Sequence, residues 1–151
     1  MCVIVVCMDT KIFFTDGSVL PQHGCDGYAA VPMHTDGSAD IDHVISGCKF
    51  TIDVQEMELM AVVTAIKSVP VRQPVTIFTD HQSICDVIAK KERANCERGR
   101  NRKIWNQLRQ LCNARHVTLR WVKGHAGIPG NVAADLAAKT AARSLIPVPT
   151  V

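Results

Sequence analysis

The order of the hydrophobic patterns along this chain limits its fold more than any other feature: three extended stretches come in succession, and only afterwards do strands alternate with helices. Residues 11–15 (KIFFT), 27–34 and 43–52 read as strands separated by glycine-bearing turns at 24–27 and 36–38, which makes an antiparallel meander. Residues 56–68 then place Met57, Met60, Ala61 and Ile66 at helical spacing. Asp53 opens that helix three residues before Glu56, in the manner of a capping box, and Pro70 ends it. A β-branched run at 75–79 is followed by a helix at about 82–91, a polar basic segment at 92–102 and a helix at 103–114. A strand at 117–122, a glycine-rich loop to Gly130 and an alanine-rich helix to about Arg143 complete the order. This is an α/β chain with a mixed sheet. Right-handed crossovers bring 75–79 parallel to the first strand and beside it, so that their carboxyl ends lie together.

The 151 residues, 47% of them hydrophobic, suit one domain with a real core and leave no room for a second of similar size. Residues 1–8 either lengthen the first strand or are foreign to the domain, and 144–151, with Pro147 and Pro149, read as a flexible tail. No apolar run approaches the roughly 18 residues of a membrane span, and no basic stretch precedes the apolar start, so neither an anchor nor a signal peptide is expected. Seven scattered cysteines without a C-x-x-C pair fit neither a disulfide framework nor a zinc site. They point to an intracellular, reducing compartment, cytosolic or nuclear. The net charge is only +3, yet residues 81–123 carry eleven Lys and Arg against three acids, a basic block in an otherwise acidic chain.

The acids give that block a meaning. Asp16 ends the first strand and Asp80 the fourth, each after a threonine, where an open α/β sheet presents its ligand crevice. Glu58 and Asp135, read as first-turn residues of their helices, lean toward the same place. Singly, such acids are ordinary turn or cap residues. Glu58 is the more telling, since Met57, Leu59, Met60 and Ala61 surround it and an unpaired acid in apolar company is costly. Four oxygen donors in one place call for a hard cation such as Mg²⁺, which keeps waters and completes its shell with phosphate oxygens. Two such ions about 4 Å apart activate water and stabilise a leaving oxygen in phosphodiester cleavage.

The ordered set T-D-G-S at 15–18, M-E-L-M-A at 57–61, T-D at 79–80 and W-V-K-G-H-A-G-I-P-G-N-V-A-A-D at 121–135 resembles type 1 ribonuclease H over nearly the whole chain. The resemblance implies a five-stranded mixed sheet flanked by helices, and hydrolysis of the RNA strand of an RNA/DNA hybrid to 5′-phosphate and 3′-hydroxyl ends. It implies Asp16, Glu58, Asp80 and Asp135 as ligands of two Mg²⁺ ions, for which Mn²⁺ can substitute. His125 matches the family's loop histidine, which assists proton transfer or product departure, a task suited to an imidazole titrating near neutrality.

The resemblance also implies how the hybrid is held, by phosphate and 2′-hydroxyl contacts without base reading. Gly17, Ser18, Gln22 and Gln55 fall at nucleic-acid-contacting positions, while Asn131 is either near the site or a cap of the last helix. The turn at 21–27 carries Asp26 in place of a usual glycine, Val54 stands where some members have asparagine, and His81 replaces a usual serine. Residues 90–103 occupy the place of the family's basic protrusion in shortened form, with Lys90, Lys91, Arg93, Arg98, Arg100 and Arg102 supplying salt-dependent affinity. Trp105 is expected in the core and Trp121 buried on its strand. The G-I-P-G-N-x-x-A-D wording and the short protrusion resemble domains attached to retroelement reverse transcriptases, implying a part of such a polyprotein, and a monomer. Two other readings are a binding module that has lost catalysis and a related polynucleotidyl transferase or DNA nuclease. The retained acids with His125 disfavour the former, and the V-K-G-H loop with the basic segment disfavours the latter.

Overall fold

A computed structural model describes residues 8–23, 25–90 and 99–144, and the expected N-terminal extension, C-terminal tail and most of the basic segment lie outside these. Five strands form one sheet: β1 (Lys11–Leu20), β2 (Cys25–Pro32), β3 (Ile45–Phe50), β4 (Val75–Thr79) and β5 (Val117–Trp121). Their order is β3-β2-β1-β4-β5. The meander pairs antiparallel, whereas β4 lies parallel to both β1 and β5, as the order of patterns required.

Four helices complete the fold: α1 (Val54–Ser68), α2 (Gln82–Lys90), α3 (Arg102–Ala114) and α4 (Pro129–Arg143). The two-residue period of the strands divides neighbours between the faces. Phe13 and Ile77 pack with Leu59, Val62 and Ile66 of α1, Ile84 of α2, and Trp105 and Leu108 of α3. Phe14 and Phe78 point the other way and stack at 4.8 Å between ring centroids, under the α4 side with Ala134. Trp105 is thus a core residue, as its spacing indicated. No helix of the described residues is long and apolar enough to cross a membrane.

Three local features differ from the sequence reading. First, β1 does not end at Thr15 but runs to Leu20, because Asp16, Gly17 and Ser18 keep pairing with Ala29, Tyr28 and Gly27 of β2. Cross-strand pairing overrides the turn preference of D-G-S. Second, the capping box is only half made. Asp53 accepts from the Glu56 backbone N–H at 3.1 Å, but the Glu56 carboxylate pairs with Lys49, and the Asp53 N–H instead donates to buried Asp26 at 2.7 Å. Burial pushes the Asp26 carboxyl above its ordinary range. Third, Trp121 is 48% exposed rather than buried, because β5 is an edge strand.

Close approach of the layers depends on glycine at two places. A Cβ at Gly27 would collide with the α4 backbone at Ala138 and Ala142, and one at Gly130 would enter the Phe14 ring. These contacts let α4 lie directly on β1 and β2 and fix where Asp135 stands.

Candidate active site

The last parallel pair between β1 and β4 is Thr15 with Thr79, so Asp16 and Asp80 each lie one residue beyond it. Asp16 is therefore in mid-strand, and it reaches the crevice because β4 stops while β1 continues. Glu58 is the fifth residue of α1, not a first-turn residue, since the helix begins at Val54. It faces Asp16 because α1 crosses β1 at Gly17, where an added Cβ would lie 2.7 Å from the Glu58 nitrogen. One carboxylate oxygen from each of Asp16, Glu58 and Asp80 lies within 4.8 Å of the others.

This gathering is electrostatically expensive. Asp16 and Glu58 are 6% and 4% exposed, and the Glu58 Oε2 atom has no hydrogen-bond partner. Burial, reinforced by the charge of Asp80, pushes the Asp16 carboxyl up to about 7. Burial together with Asp16 and Asp80 pushes Glu58 up to about 10. At neutral pH without a cation, Glu58 holds a proton against Asp16. An all-oxygen donor set with an orphaned buried oxygen and excess negative charge fits a hard divalent cation.

The fourth acid stands apart. Asp135 is the seventh residue of α4, because the helix starts at Pro129, and its charge still acts on Asp16. Its Oδ2 atom accepts a hydrogen bond from Lys139 at 2.7 Å. It is not among the three acids gathered within 4.8 Å. Asn131 lies inside α4, where it caps nothing; it is 4% exposed and its Oδ1 atom is unpartnered.

The loop after β5 closes over Asp80. An added Cβ at Gly124 would sit 2.7 Å from the Asp80 Oδ2 atom, so glycine permits this approach. His125 follows with φ of 55°, a left-handed conformation unusual for a side-chain-bearing residue, and it is exposed. From the edge strand, the Trp121 indole donates to the Asp80 carbonyl at 3.1 Å.

The residues expected at nucleic acid divide by exposure. Gln22, Lys90, Arg100 and Arg102 are exposed, and Gln55 is half-buried. Ser18 is buried within β1, and the Gly17 N–H donates to the Asp16 carboxylate at 2.9 Å. Lys91, Arg93 and Arg98 lie outside the described residues. Sequence reading missed Asn101, which immediately precedes α3 and donates to Asp53 at 3.1 Å and to Gln55 at 3.3 Å. No sequence signal marks this tie, since it joins residues that only the packing of α3 on α1 brings together.

An acidic cluster that suits a divalent cation, set where the parallel pairing of β1 with β4 ends in a mixed sheet, is the arrangement found in metal-assisted hydrolytic sites. The ribonuclease H family model matches residues 8–143. The ribonuclease H of Nitratidesulfovibrio vulgaris strain DP4 is 33% identical over 139 residues, covering 85% of this chain and 86% of that one. The ribonuclease HI of Synechocystis is 31% identical over 132 residues, 81% of each chain. Among solved structures, that of ribonuclease H1 from Halobacterium salinarum superposes with a TM-score of 0.71 at 16% identity, covering 88% of this chain and 97% of that one, a likeness of fold. The chain belongs to the ribonuclease H family and is a nuclease of that class.

Proposed function

We propose that this protein hydrolyses the RNA strand of RNA/DNA hybrids with two Mg²⁺ ions, leaving 5′-phosphate and 3′-hydroxyl ends, and that Mn²⁺ can replace Mg²⁺. The observation that carries the reading is the meeting of Asp16, Glu58 and Asp80 within 4.8 Å, with an unpartnered buried oxygen on Glu58. When bound, divalent ions supply Lewis-acid polarisation of the phosphate and a more acidic water. Asp16, Glu58 and Asp80 would hold them, with Asp135 joining from α4.

The chain's own groups do the rest. Glu58, which holds a proton at neutral pH, and Asp16, which does so in part, release it as they become ligands. The Trp121 indole fixes Asp80 at its carbonyl, and the lack of a side chain at Gly124 leaves room for its carboxylate. His125, exposed on the same loop, accepts or donates a proton at the reacting phosphate or leaving oxygen. Gln22, Gln55, Lys90, Arg100 and Arg102 hold the hybrid's backbones, with affinity that falls as salt rises.

The test is cleavage of an end-labelled hybrid beside RNA duplex and DNA duplex, with Mg²⁺ or EDTA, for the native protein and Asp80→Asn. Mg²⁺-dependent cut ends in the hybrid's RNA alone are expected. Cleavage that survives EDTA, or that falls equally on a pure duplex, overturns the reading.

A further inference from the structure

We propose that Lys139 is a positioning residue that holds Asp135 by one oxygen and thereby weakens the site's grip on divalent cation. The inference rests on the metal reading of the carboxylates. Of the four acids that the motifs bring to the site, three converge and Asp135 does not; its Oδ2 atom is instead engaged by the Lys139 ammonium at 2.7 Å. Lys139 sits one helical turn after Asp135 on α4, so the pair is built into the helix and needs no other element.

The pair is partly solvated, with side-chain exposures of 41% for Lys139 and 30% for Asp135. Such i,i+4 pairs are weak in water, so a divalent ion is able to compete for the carboxylate. While Lys139 holds Oδ2, the Oδ1 atom of Asp135 is the freer donor, and the ammonium offsets part of a charge that still reaches Asp16. Asp16, Glu58 and Asp80, by contrast, act on one another as like charges. Lys139 thus sets the weaker of the site's affinities, keeping Asp135 a ligand that engages late and releases readily.

Titration calorimetry of Mg²⁺ into the full chain tests this without relying on turnover. Lys139→Met removes the charge and keeps a good helix former, and Lys139→Arg keeps the charge. The Met variant should bind its weaker Mg²⁺ about 3- to 10-fold more tightly, the effect of losing one unit charge within a few ångströms in a largely aqueous setting. The Arg variant should stay within about 2-fold of the native chain. Unchanged or weaker Mg²⁺ binding in the Met variant overturns the proposal alone, provided that native binding is lost in Asp80→Asn. Absence of any Asp80-dependent Mg²⁺ binding in the native chain overturns both this and the metal reading. Matching circular-dichroism melts of the variants establish that each is folded.

Discussion

The indole Nε1 atom of Trp121 donates to the backbone carbonyl of Asp80 at 3.1 Å, although the ring itself is 48% exposed. Thus the edge strand fixes the peptide that carries a site carboxylate. Trp121→Phe keeps an aromatic ring and loses the donor. It should cost about 1 kcal/mol of stability and lower hybrid cleavage about 3- to 10-fold. Cleavage rates and thermal melts check this, and a native rate would show that the chemistry does not use the bond.

Asp80 raises both Asp16 and Glu58 by its charge. Asp80→Asn should therefore raise the metal-free melting temperature, by an amount corresponding to about 1 kcal/mol, while abolishing cleavage and the stabilisation given by Mg²⁺. Hybrid binding should persist because the shape of the site is kept. Melts with and without Mg²⁺ decide it: a metal-free protein less stable than the native one contradicts the repulsion.

The pH dependence follows from the same groups. Asp16 rises from an ordinary 3.8 to about 7 and Glu58 from 4.5 to about 10, so the folded state holds protons that the unfolded state releases. Their contribution to metal-free stability is complete below about pH 4 and is lost as pH rises through about 7 for Asp16 and on toward 10 for Glu58. Mg²⁺ displaces those protons, so its stabilising effect should grow between about pH 6 and pH 8, with affinity rising by up to about 10-fold per unit for each proton released. Thermal shifts measured against Mg²⁺ at the two pH values test this, and equal shifts would count against the raised carboxyls.

Two glycines should fail in different ways. At Gly124 an added methyl meets the Asp80 side chain, its Oδ2 atom at 2.7 Å and its Cβ and Cγ atoms at 3.4 Å, and that carboxylate can rotate. Gly124→Ala should fold with a loss under about 1 kcal/mol yet cleave about 10- to 100-fold more slowly. At Gly27 the methyl meets the α4 backbone, which cannot yield locally, so Gly27→Ala should lose about 2–3 kcal/mol or more. Denaturant melts beside cleavage assays separate the two effects.

Much of the site was legible because its motifs sit at element boundaries with their own signatures. Asp80 follows a β-branched strand directly, and Glu58 stands out as an acid among Met57, Leu59 and Met60. The extent of β1 was not legible. D-G-S has turn chemistry, and only the partner residues Ala29, Tyr28 and Gly27 keep it extended. Helix starts shifted for a related reason: Ile128 stands before Pro129 without a side-chain cap, and packing of Gly130 on Phe14 sets the first turn.

The order of strands and helices, the parallel placement of β4 beside β1 and the identities of the acids are all legible in the chain before it folds. Those rest on periodicity, crossover handedness and residue chemistry, all of which are local or nearly so. It took the packed molecule to show that Asp135 turns to Lys139 while the other three expected acids, Asp16, Glu58 and Asp80, do meet. It likewise decided that Trp121 faces outward and braces Asp80, and that Asp26 takes the Asp53 N–H. Each of these depends on side chains brought within a few ångströms by packing between distant segments, or on which edge of the sheet a strand occupies, and no pattern within one segment encodes either.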